Sequence, residues 1–247
     1  NAALAVVPLG TFNYIARRYQ LPQDDDVEAI ADMLMHGVSA RVAAGNVNGK
    51  LFLNNCSFGL YTHLVDARER DTRAWGRGRV VALFSALATA LRPHARRRVS
   101  IESIKDRWSG KASLVFIGIN PEQFDDAGMN DLARVVAAGR LGVVALRDLD
   151  AWRLVKLAFS ASTGTVAQLR EIVAFDAAQT CVRLRERRVR AVLDGETVWL
   201  ETPLDIRLAP AALRLVLPAH AADAYAARSS AMVNACAISD GPTGLTK

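Results

Sequence analysis

One stretch of ten residues decides the fold, and it reads Pro8-Leu9-Gly10-Thr11-Phe12-Asn13-Tyr14-Ile15-Ala16-Arg17. The apolar run before it, residues 3–7, is typical of a buried strand in a parallel sheet. After it, apolar residues recur at helical spacing until the Leu21-Pro22 pair ends the pattern. The stretch therefore predicts a strand, a tight turn and a helix.

The turn itself predicts a place for an anion. Gly10 lets the chain turn closely, and we expect Thr11 to be the N-cap of the helix. Such a junction presents free amide donors and the positive end of a helix dipole, where α/β proteins hold phosphates. The simpler interpretation, that Thr11 and Asn13 only cap a helix, stays open on the residues alone.

Composition limits the class of protein. The chain has 247 residues, of which 51% are hydrophobic, enough to form the cores of one or two domains. No apolar run approaches the roughly 20 residues of a membrane span, and we find no signal peptide. The sequence begins with Asn1 rather than Met, immediately before the predicted strand, so we expect a fragment that lacks its start. Three widely spaced cysteines argue against a disulfide framework or a zinc site and indicate a reducing compartment.

The charge of +6 is concentrated in residues 68–107, which hold eleven Lys or Arg and four Asp or Glu. This basic segment predicts an anionic partner, such as a membrane surface, a phosphate or a nucleic acid. Within it, an apolar stripe over residues 80–91 predicts a helix that could lie on an anionic membrane with Trp75 at the interface. Alternatively, that helix packs by its stripe onto its own domain. We expect a cytoplasmic protein, and a peripheral position at the inner membrane face stays open.

The rest of the chain is mainly of β type. A second helix follows Asp24-Asp25-Asp26 and ends at Gly37, and we place a domain boundary near Val38. Asn48-Gly49 predicts a hairpin between strands 39–47 and 50–56. Many short strands and one helix at 151–161 follow, typical of a sandwich or barrel-like second domain. The strands are predicted at 99–104, 112–119, 141–146, 181–185, 189–193, 198–200, 204–208 and 213–217. We expect the tail 219–247 to be a linker or disordered.

Asp194-Gly195-Glu196 is the second candidate for chemistry. As a pattern it predicts a hairpin turn, since Asp-Gly is a favoured type I′ pair. On an extended backbone, however, carboxylates two residues apart would project from one face. One could then accept a hydroxyl proton while the other orients it or a metal, as phosphoryl transfer to an alcohol requires.

Three segments resemble one family. The ten-residue stretch resembles the P-L-G-T-x-N-D-F-A-R signature of the diacylglycerol kinase catalytic family, which includes bacterial lipid kinases and sphingosine kinases, although Tyr14 replaces its Asp. Residues 51–59 are similar to the family's F-x-N-x-x-S-x-G-F segment. Residues 189–218, with D-G-E and a later P-x-A-L-R, are similar to the end of its second domain. The three segments follow family order across residues 4–218.

The resemblance implies an ATP-dependent kinase that phosphorylates a lipid hydroxyl, with a diacylglycerol-like substrate. It also implies an α/β plus β fold, in which residues 1–38 are the C-terminal part of an α/β nucleotide-binding domain. Residues 39–218 would form a mainly antiparallel β-sandwich domain, with the active site in the cleft between the two. Thr11 would contact the nucleotide, with Gly10 and Asn13 beside it. Glu196 matches the family's proton acceptor, and Asp194 is its neighbour in the site.

Two departures limit the transfer. The family's G-G-D-G-T loop, which lies before P-L-G-T, is absent from this sequence. The family's later G-G-G and D-G-x-L stretches correspond to residues 127–129 and 137–141 here, and Ala138 stands where an Asp helps to bind magnesium. We therefore predict no metal-ligating residue, and magnesium is expected only together with ATP. A non-catalytic lipid-binding or membrane-binding member is the alternative, and a homo-oligomer stays open. Nucleic acid is a weaker partner, because Trp75 alone offers a nearby stacking surface.

Overall fold

The fold is a mainly antiparallel sheet with a few short helices. The computed structural model describes residues 2–10, 12–23, 26–59, 97–147 and 171–226. The strands are β1 (Val38–Val47), β2 (Lys50–Phe52), β3 (Asn55–Gly59), β4 (Arg97–Ser103), β5 (Arg107–Gly118), β6 (Leu141–Arg147), β7 (Ile172–Ala177), β8 (Gln179–Leu184), β9 (Arg188–Leu193), β10 (Glu196–Glu201) and β11 (Leu204–Leu217). The helices are α1 (Tyr14–Tyr19), α2 (Val27–His36), α3 (Pro121–Asp125) and α4 (Asn130–Ala137), and residues 219–226 are also helical.

The strands join in one hydrogen-bonded sheet. Its order is β10-β9-β3-β5-β4-β8-β11-β1-β2, and β6 pairs with both β5 and β7. The antiparallel pairs are β1–β2, β3–β5, β3–β9, β4–β5, β4–β8, β5–β6, β6–β7, β8–β11 and β9–β10. The expectation of a mainly antiparallel sheet is therefore confirmed, and the division into an α/β domain and a sandwich stays a prediction.

The chain forms two compact units. The first comprises Asn1–Val42 and Ala211–Lys247, and the second comprises Ala43–Pro210. Because β1 and β11 cross these limits, each contributes residues to both units. The first unit therefore combines the start of the chain with a C-terminal part that the sequence alone assigned to the sandwich and the tail.

The start of the first unit differs from the prediction in two ways. Helix α1 begins at Tyr14 with Asn13 as its N-cap, so the assignment of Thr11 as N-cap is wrong. Thr11 itself lies outside the described residues. The predicted buried strand at residues 3–7 is also wrong, because Leu4 makes a single parallel bridge to Leu215 and is 49% exposed. A strand becomes buried in a parallel sheet only when neighbours cover both of its faces.

The other helical parts of the first unit have clear local causes. Helix α2 begins after Asp26, whose carboxylate accepts a hydrogen bond from the Ala29 amide at 2.9 Å, and it ends before Gly37, as predicted. The prediction of a disordered tail is wrong for residues 219–226. That helix buries Tyr225, whose ring lies 5.3 Å from the ring of Tyr19. The packing of Tyr225 against Tyr19 thus orders residues whose sequence pattern has no clear helical period.

The hairpin between β1 and β2 is confirmed. Asn48 and Gly49 both have positive φ, 49° and 86°, as a type I′ turn requires. The predicted strand 50–56, however, is divided by a bend at residues 53–54. The part before the bend, β2, pairs with β1, and the part after it, β3, pairs with β5 and β9.

Most later strands lie where they were predicted, although 204–208 and 213–217 form the single strand β11. Strand β7 and the short helices α3 and α4 were not predicted. The predicted helices at 80–91 and 151–161 lie outside the described residues. In the described part of the chain, no helix is long and apolar enough to cross a bilayer.

The two faces of β5 support different hydrophobic clusters. Val115 and Ile117 belong to the main core, whereas Phe116 packs against α3 and α4 on the other face. There, the Phe124 ring lies directly over two glycines of neighbouring strands. A Cβ added to Gly118 would lie 2.8 Å from this ring, and one added to Gly142 would lie 2.3 Å from it. The absence of side chains at Gly118 and Gly142 thus makes room for the Phe124 ring, through which α3 packs on the sheet.

We expect Gly142→Ala to destabilise the protein by about 1–3 kcal/mol, because the buried Phe124 ring must move to admit the new methyl group. Urea unfolding measures this change. A Phe124→Leu background replaces the ring with a smaller aliphatic side chain, so Gly142→Ala should cost less there. An equal loss of unfolding free energy in both backgrounds would contradict the packing of the Phe124 ring on Gly142.

Candidate active site

The D-G-E segment forms the turn between β9 and β10. Asp194 and Gly195 have φ of 51° and 99°, and Glu196 pairs with Leu193 across the hairpin. The type I′ prediction is therefore confirmed. The expectation that Asp194 and Glu196 share one extended backbone is wrong, because Asp194 has a left-handed conformation and only Glu196 belongs to a strand. The period-two argument for their carboxylates does not apply at such a turn.

The Asp194 carboxylate holds the bend between β2 and β3. Its Oδ2 accepts a hydrogen bond from the Leu53 amide at 2.5 Å. Its Oδ1 accepts from the amides of Asn54 and Asn55 at 2.7 and 3.0 Å. In return, the Asp194 amide donates to the Asn55 carbonyl at 3.1 Å. We call this set of four hydrogen bonds the Asp194 clamp; it joins two turns that are far apart in sequence.

The clamp also determines the electrostatics of Asp194. The residue is exposed as a whole, but its carboxylate packs against the backbone of the bend. This desolvation raises the pKa of Asp194, while the three amide donors act in the opposite direction. A carboxylate that already accepts three backbone hydrogen bonds is better suited to hold a structure than to take a substrate proton.

Asn120 extends the clamp to the end of β5. Its Nδ2 donates to Asn54 Oδ1 at 3.1 Å, and the Ile119 amide donates to the Asn54 carbonyl at 3.0 Å. Asn120 is fully buried. Sequence reasoning missed this residue, although one signal was present, since an Asn-Pro pair follows a buried strand there. The ends of β5 and β9 are thus both tied to the beginning of β3.

Strand β3 carries two buried oxygen atoms that have no hydrogen-bond partner among the described residues, Asn55 Oδ1 and Ser57 Oγ. Because they are two residues apart on a strand, they face the same side. Buried polar atoms without a partner are uncommon and often mark a place that receives water or ligand. Ser57 belongs to the segment that resembles the family, and Asn55 lies directly beside the clamp.

Glu196 differs from Asp194 in its surroundings. It is the first residue of β10, it is exposed, and its side chain makes no hydrogen bond or ion pair with the described part of the chain. Its carboxylate can therefore accept a proton or a hydrogen bond from a bound molecule. Its position is fixed by the adjacent turn, which the Asp194 clamp holds.

In the first unit, Asn13 closes the loop before α1. Its Oδ1 accepts a hydrogen bond from the Gly10 amide at 2.8 Å, and its Nδ2 donates to the Pro8 carbonyl at 3.0 Å. The polar groups of the Asn13 side chain are thus used within the loop, and the Gly10 amide is used as well. These residues belong to the first unit, whereas Asp194 and Glu196 belong to the second.

The described residues do not form a site for a protein-held metal. No three side chains of His, Cys, Asp or Glu within the described ranges come together closely enough to bind an ion. The stretch around Ala138, compared above with the family's metal segment, forms the end of α4 and the turn into β6. The second unit does contain an open cleft of about 510 Å³ between α4 and β7, with Met129, Leu132 and Ile172 among its lining.

Comparisons with known proteins agree with the resemblance. No family model matches the chain. The diacylglycerol kinase of Bacillus subtilis strain 168 is 25% identical over 200 residues, which are 78% of this chain. The chain spans 62% of the length of that relative.

Solved structures show the same fold. A crystal structure of a diacylglycerol kinase from Bacillus anthracis strain Sterne matches with a TM-score of 0.56 and 19% identity, over 88% of this chain and 69% of its own. Another, of a protein from the same strain assigned to the diacylglycerol kinases, has a TM-score of 0.59 and 18% identity, over 89% and 70% of the two chains. The resemblance to the diacylglycerol kinase family is thereby confirmed.

We expect Asp194→Asn to lower the free energy of unfolding by about 1–3 kcal/mol, because the new NH₂ group would face an amide donor and leave it unpaired. Urea unfolding measures the change. Asp205→Asn is the matched control, since the exposed Asp205 carboxylate accepts a side-chain hydrogen bond from Gln179 that an amide oxygen can also accept. Equal losses in both variants would contradict the clamp.

Cys56 should be chemically inert in the folded protein. Burial, with the nearby Asp194 charge as a smaller cause, raises the pKa of the Cys56 thiol to about 12, so at pH 8 roughly one molecule in ten thousand carries the thiolate. We expect iodoacetamide at pH 8 to modify the half-buried Cys181 well before Cys56. Peptide mass spectrometry measures both. Similar rates for the two in the native protein would contradict this burial.

Proposed function

We propose that the protein is an ATP-dependent lipid kinase that transfers the γ-phosphate to the hydroxyl of a diacylglycerol-like lipid. One observation carries the proposal: Glu196 presents an exposed carboxylate that makes no hydrogen bond or ion pair with the described residues, at a turn held by the Asp194 clamp. A general base needs both an accessible lone pair and a fixed position. The similarity to the Bacillus subtilis diacylglycerol kinase is the reason for assigning this carboxylate to phosphoryl transfer.

In the proposed reaction, the oxygen of the lipid hydroxyl attacks the γ-phosphorus of ATP, and Glu196 accepts the proton of that hydroxyl. The new bond joins the lipid oxygen to phosphorus, the bond from phosphorus to the β-phosphate oxygen breaks, and ADP leaves. Asp194 acts as a positioning residue, because its carboxylate holds the turn that carries Glu196. An oriented base of this kind contributes about 10²–10⁴ in rate.

The loop before α1 is the proposed nucleotide contact. Asn13 fixes Pro8 and Gly10 through its side chain. We assign the direct contact with ATP to Thr11 and a supporting role to Gly10 and Asn13, on the resemblance of this segment to the family signature. Magnesium would arrive with the ATP phosphates, as is usual in phosphoryl transfer.

The open cleft of the second unit is consistent with a lipid substrate. Its lining combines apolar side chains, including Met129, Leu132 and Ile172, with the polar Asn130, Asp131 and Asp176, and the apolar part offers a surface to an acyl chain. The second unit would thus supply both the proposed base and some apolar surface.

The test is transfer of label from γ-labelled ATP, with magnesium, to a panel of lipid alcohols. We expect one lipid to be labelled, and Glu196→Gln to lower turnover by about 10²-fold or more while the protein stays folded. Glu201→Gln is the matched control, because Glu201 is an exposed residue at the other end of the same strand. It should retain full activity.

Two results would overturn the proposal. The first is a Glu196→Gln variant that transfers phosphate at the rate of the unchanged protein. The second is an unchanged protein that labels no lipid but still binds lipid vesicles, which would identify a non-catalytic lipid-binding member of the fold.

A further inference from the structure

The outer face of β4 and its neighbours is basic. In β4, Val99 and Ile101 point into the core, so the alternate residues point outward. The same alternation holds in the first half of β5, where Trp108 packs on the core, and in β8, where Val182 is buried. The outward side chains of these three strands are Arg98, Ser100, Glu102, Arg107, Ser109, Lys111, Gln179, Cys181 and Arg183, and we call them the basic sheet face.

The strand register groups three cations around two hydroxyls. Arg98 lies directly opposite Lys111, and Ser100 lies directly opposite Ser109 on β5. On its other side, Ser100 lies opposite Arg183 of β8. Side chains paired across antiparallel strands have Cβ atoms about 4.5–5.5 Å apart, and the next pair along is about 7 Å away. Long basic side chains at these positions can reach one common anion.

The charges of this face are incompletely neutralised. Glu102 is its acidic member, and it binds Arg107 at 2.6 Å and Arg183 at 2.5 Å. These two arginines hold the pKa of Glu102 below its usual range. Arg98 and Lys111 have no acidic partner in the described ranges, although like charges directly opposite each other destabilise a sheet. Such a pair is stabilised when an external anion binds between the two charges.

We propose that the basic sheet face docks on the phosphate headgroups of an anionic membrane. This inference rests on the proposed function, because a kinase for a lipid hydroxyl must meet its substrate at a bilayer surface. Arginine forms paired hydrogen bonds with phosphate, and each basic residue near an anionic bilayer strengthens binding. Arg98 and Arg107 belong to the basic segment 68–107, and the fold adds Lys111 and Arg183 to them.

The shape of this face favours a membrane over a nucleic acid. Its side chains stand on a sheet, whereas duplex DNA is usually read by an element that enters a groove. Single-stranded nucleic acid is usually held by aromatic rings that stack on bases. The aromatic residue within the paired part of β4 and β5, Trp108, packs toward the core instead.

Vesicle sedimentation tests the proposal. We expect the protein to bind vesicles of equal parts phosphatidylglycerol and phosphatidylcholine, to bind pure phosphatidylcholine poorly, and to release the anionic vesicles as salt is raised. The double variant Arg98→Gln/Lys111→Gln should bind the anionic vesicles about tenfold or more weakly. Lys50→Gln/Arg134→Gln removes the same charge from β2 and α4 and should bind as the unchanged protein does.

The proposal is overturned if Arg98→Gln/Lys111→Gln binds anionic vesicles as tightly as the control variant. It is equally overturned if the unchanged protein prefers single-stranded RNA to anionic vesicles and loses that RNA in the same variant. A kinase assay with a short-chain lipid in detergent separates this inference from the proposed function. There, Arg98→Gln/Lys111→Gln should keep full turnover. Vesicle binding that depends on Arg98 and Lys111, in a protein that phosphorylates no lipid, would support the surface and refute the kinase.

Discussion

The candidate site depends on one carboxylate that accepts three backbone amides. Asp194 bonds to the amides of residues 53–55, and this set of bonds joins the β9–β10 turn to the bend between β2 and β3. The bend releases β3 from the hairpin and lets it pair with β5 and β9. Asn54 in turn accepts hydrogen bonds from Ile119 and Asn120, the two residues that follow β5. Asp194 and Asn54 together thus tie the ends of β9 and β5 to the beginning of β3.

This arrangement separates two roles that the sequence places side by side. Asp194 is committed to the backbone, whereas Glu196, two residues later, has no partner in the described part of the chain. The rigid member of the pair fixes the position of the accessible one. Where a site uses two carboxylates, their different environments usually give them different roles. Here the difference is the number of hydrogen bonds: Asp194 accepts three from the backbone, and the Glu196 side chain accepts none from the described residues.

Local chemistry could be predicted from the sequence, and distant contacts could not. Asn48-Gly49 and Asp194-Gly195 were both identified as turns, because glycine and its polar partner determine φ within two residues. The bend at residues 53–54 was missed, since its cause lies 141 residues from Leu53, in Asp194. The cap of α1 was misplaced because Asn13 bonds to Gly10 and Pro8 inside the loop, an arrangement that no capping pattern specifies. The packing of Phe124 on two glycines was equally invisible, because Gly118 and Gly142 come together only in the sheet.

The two type I′ turns also bear on how the protein ages. Asp-Gly and Asn-Gly are the sequences in which the next amide most easily attacks the side-chain carbonyl, because glycine leaves that amide unhindered. In the folded chain, the Asp194 carboxylate is held by the bend. Asn48 is held in a similar way, since its side chain donates to the carbonyls of Glu201 and Pro203 and accepts from the Asp205 amide. The hydrogen bonds that organise the sheet therefore restrain both side chains from cyclising, and isoaspartate should form at these positions mainly in molecules that have unfolded.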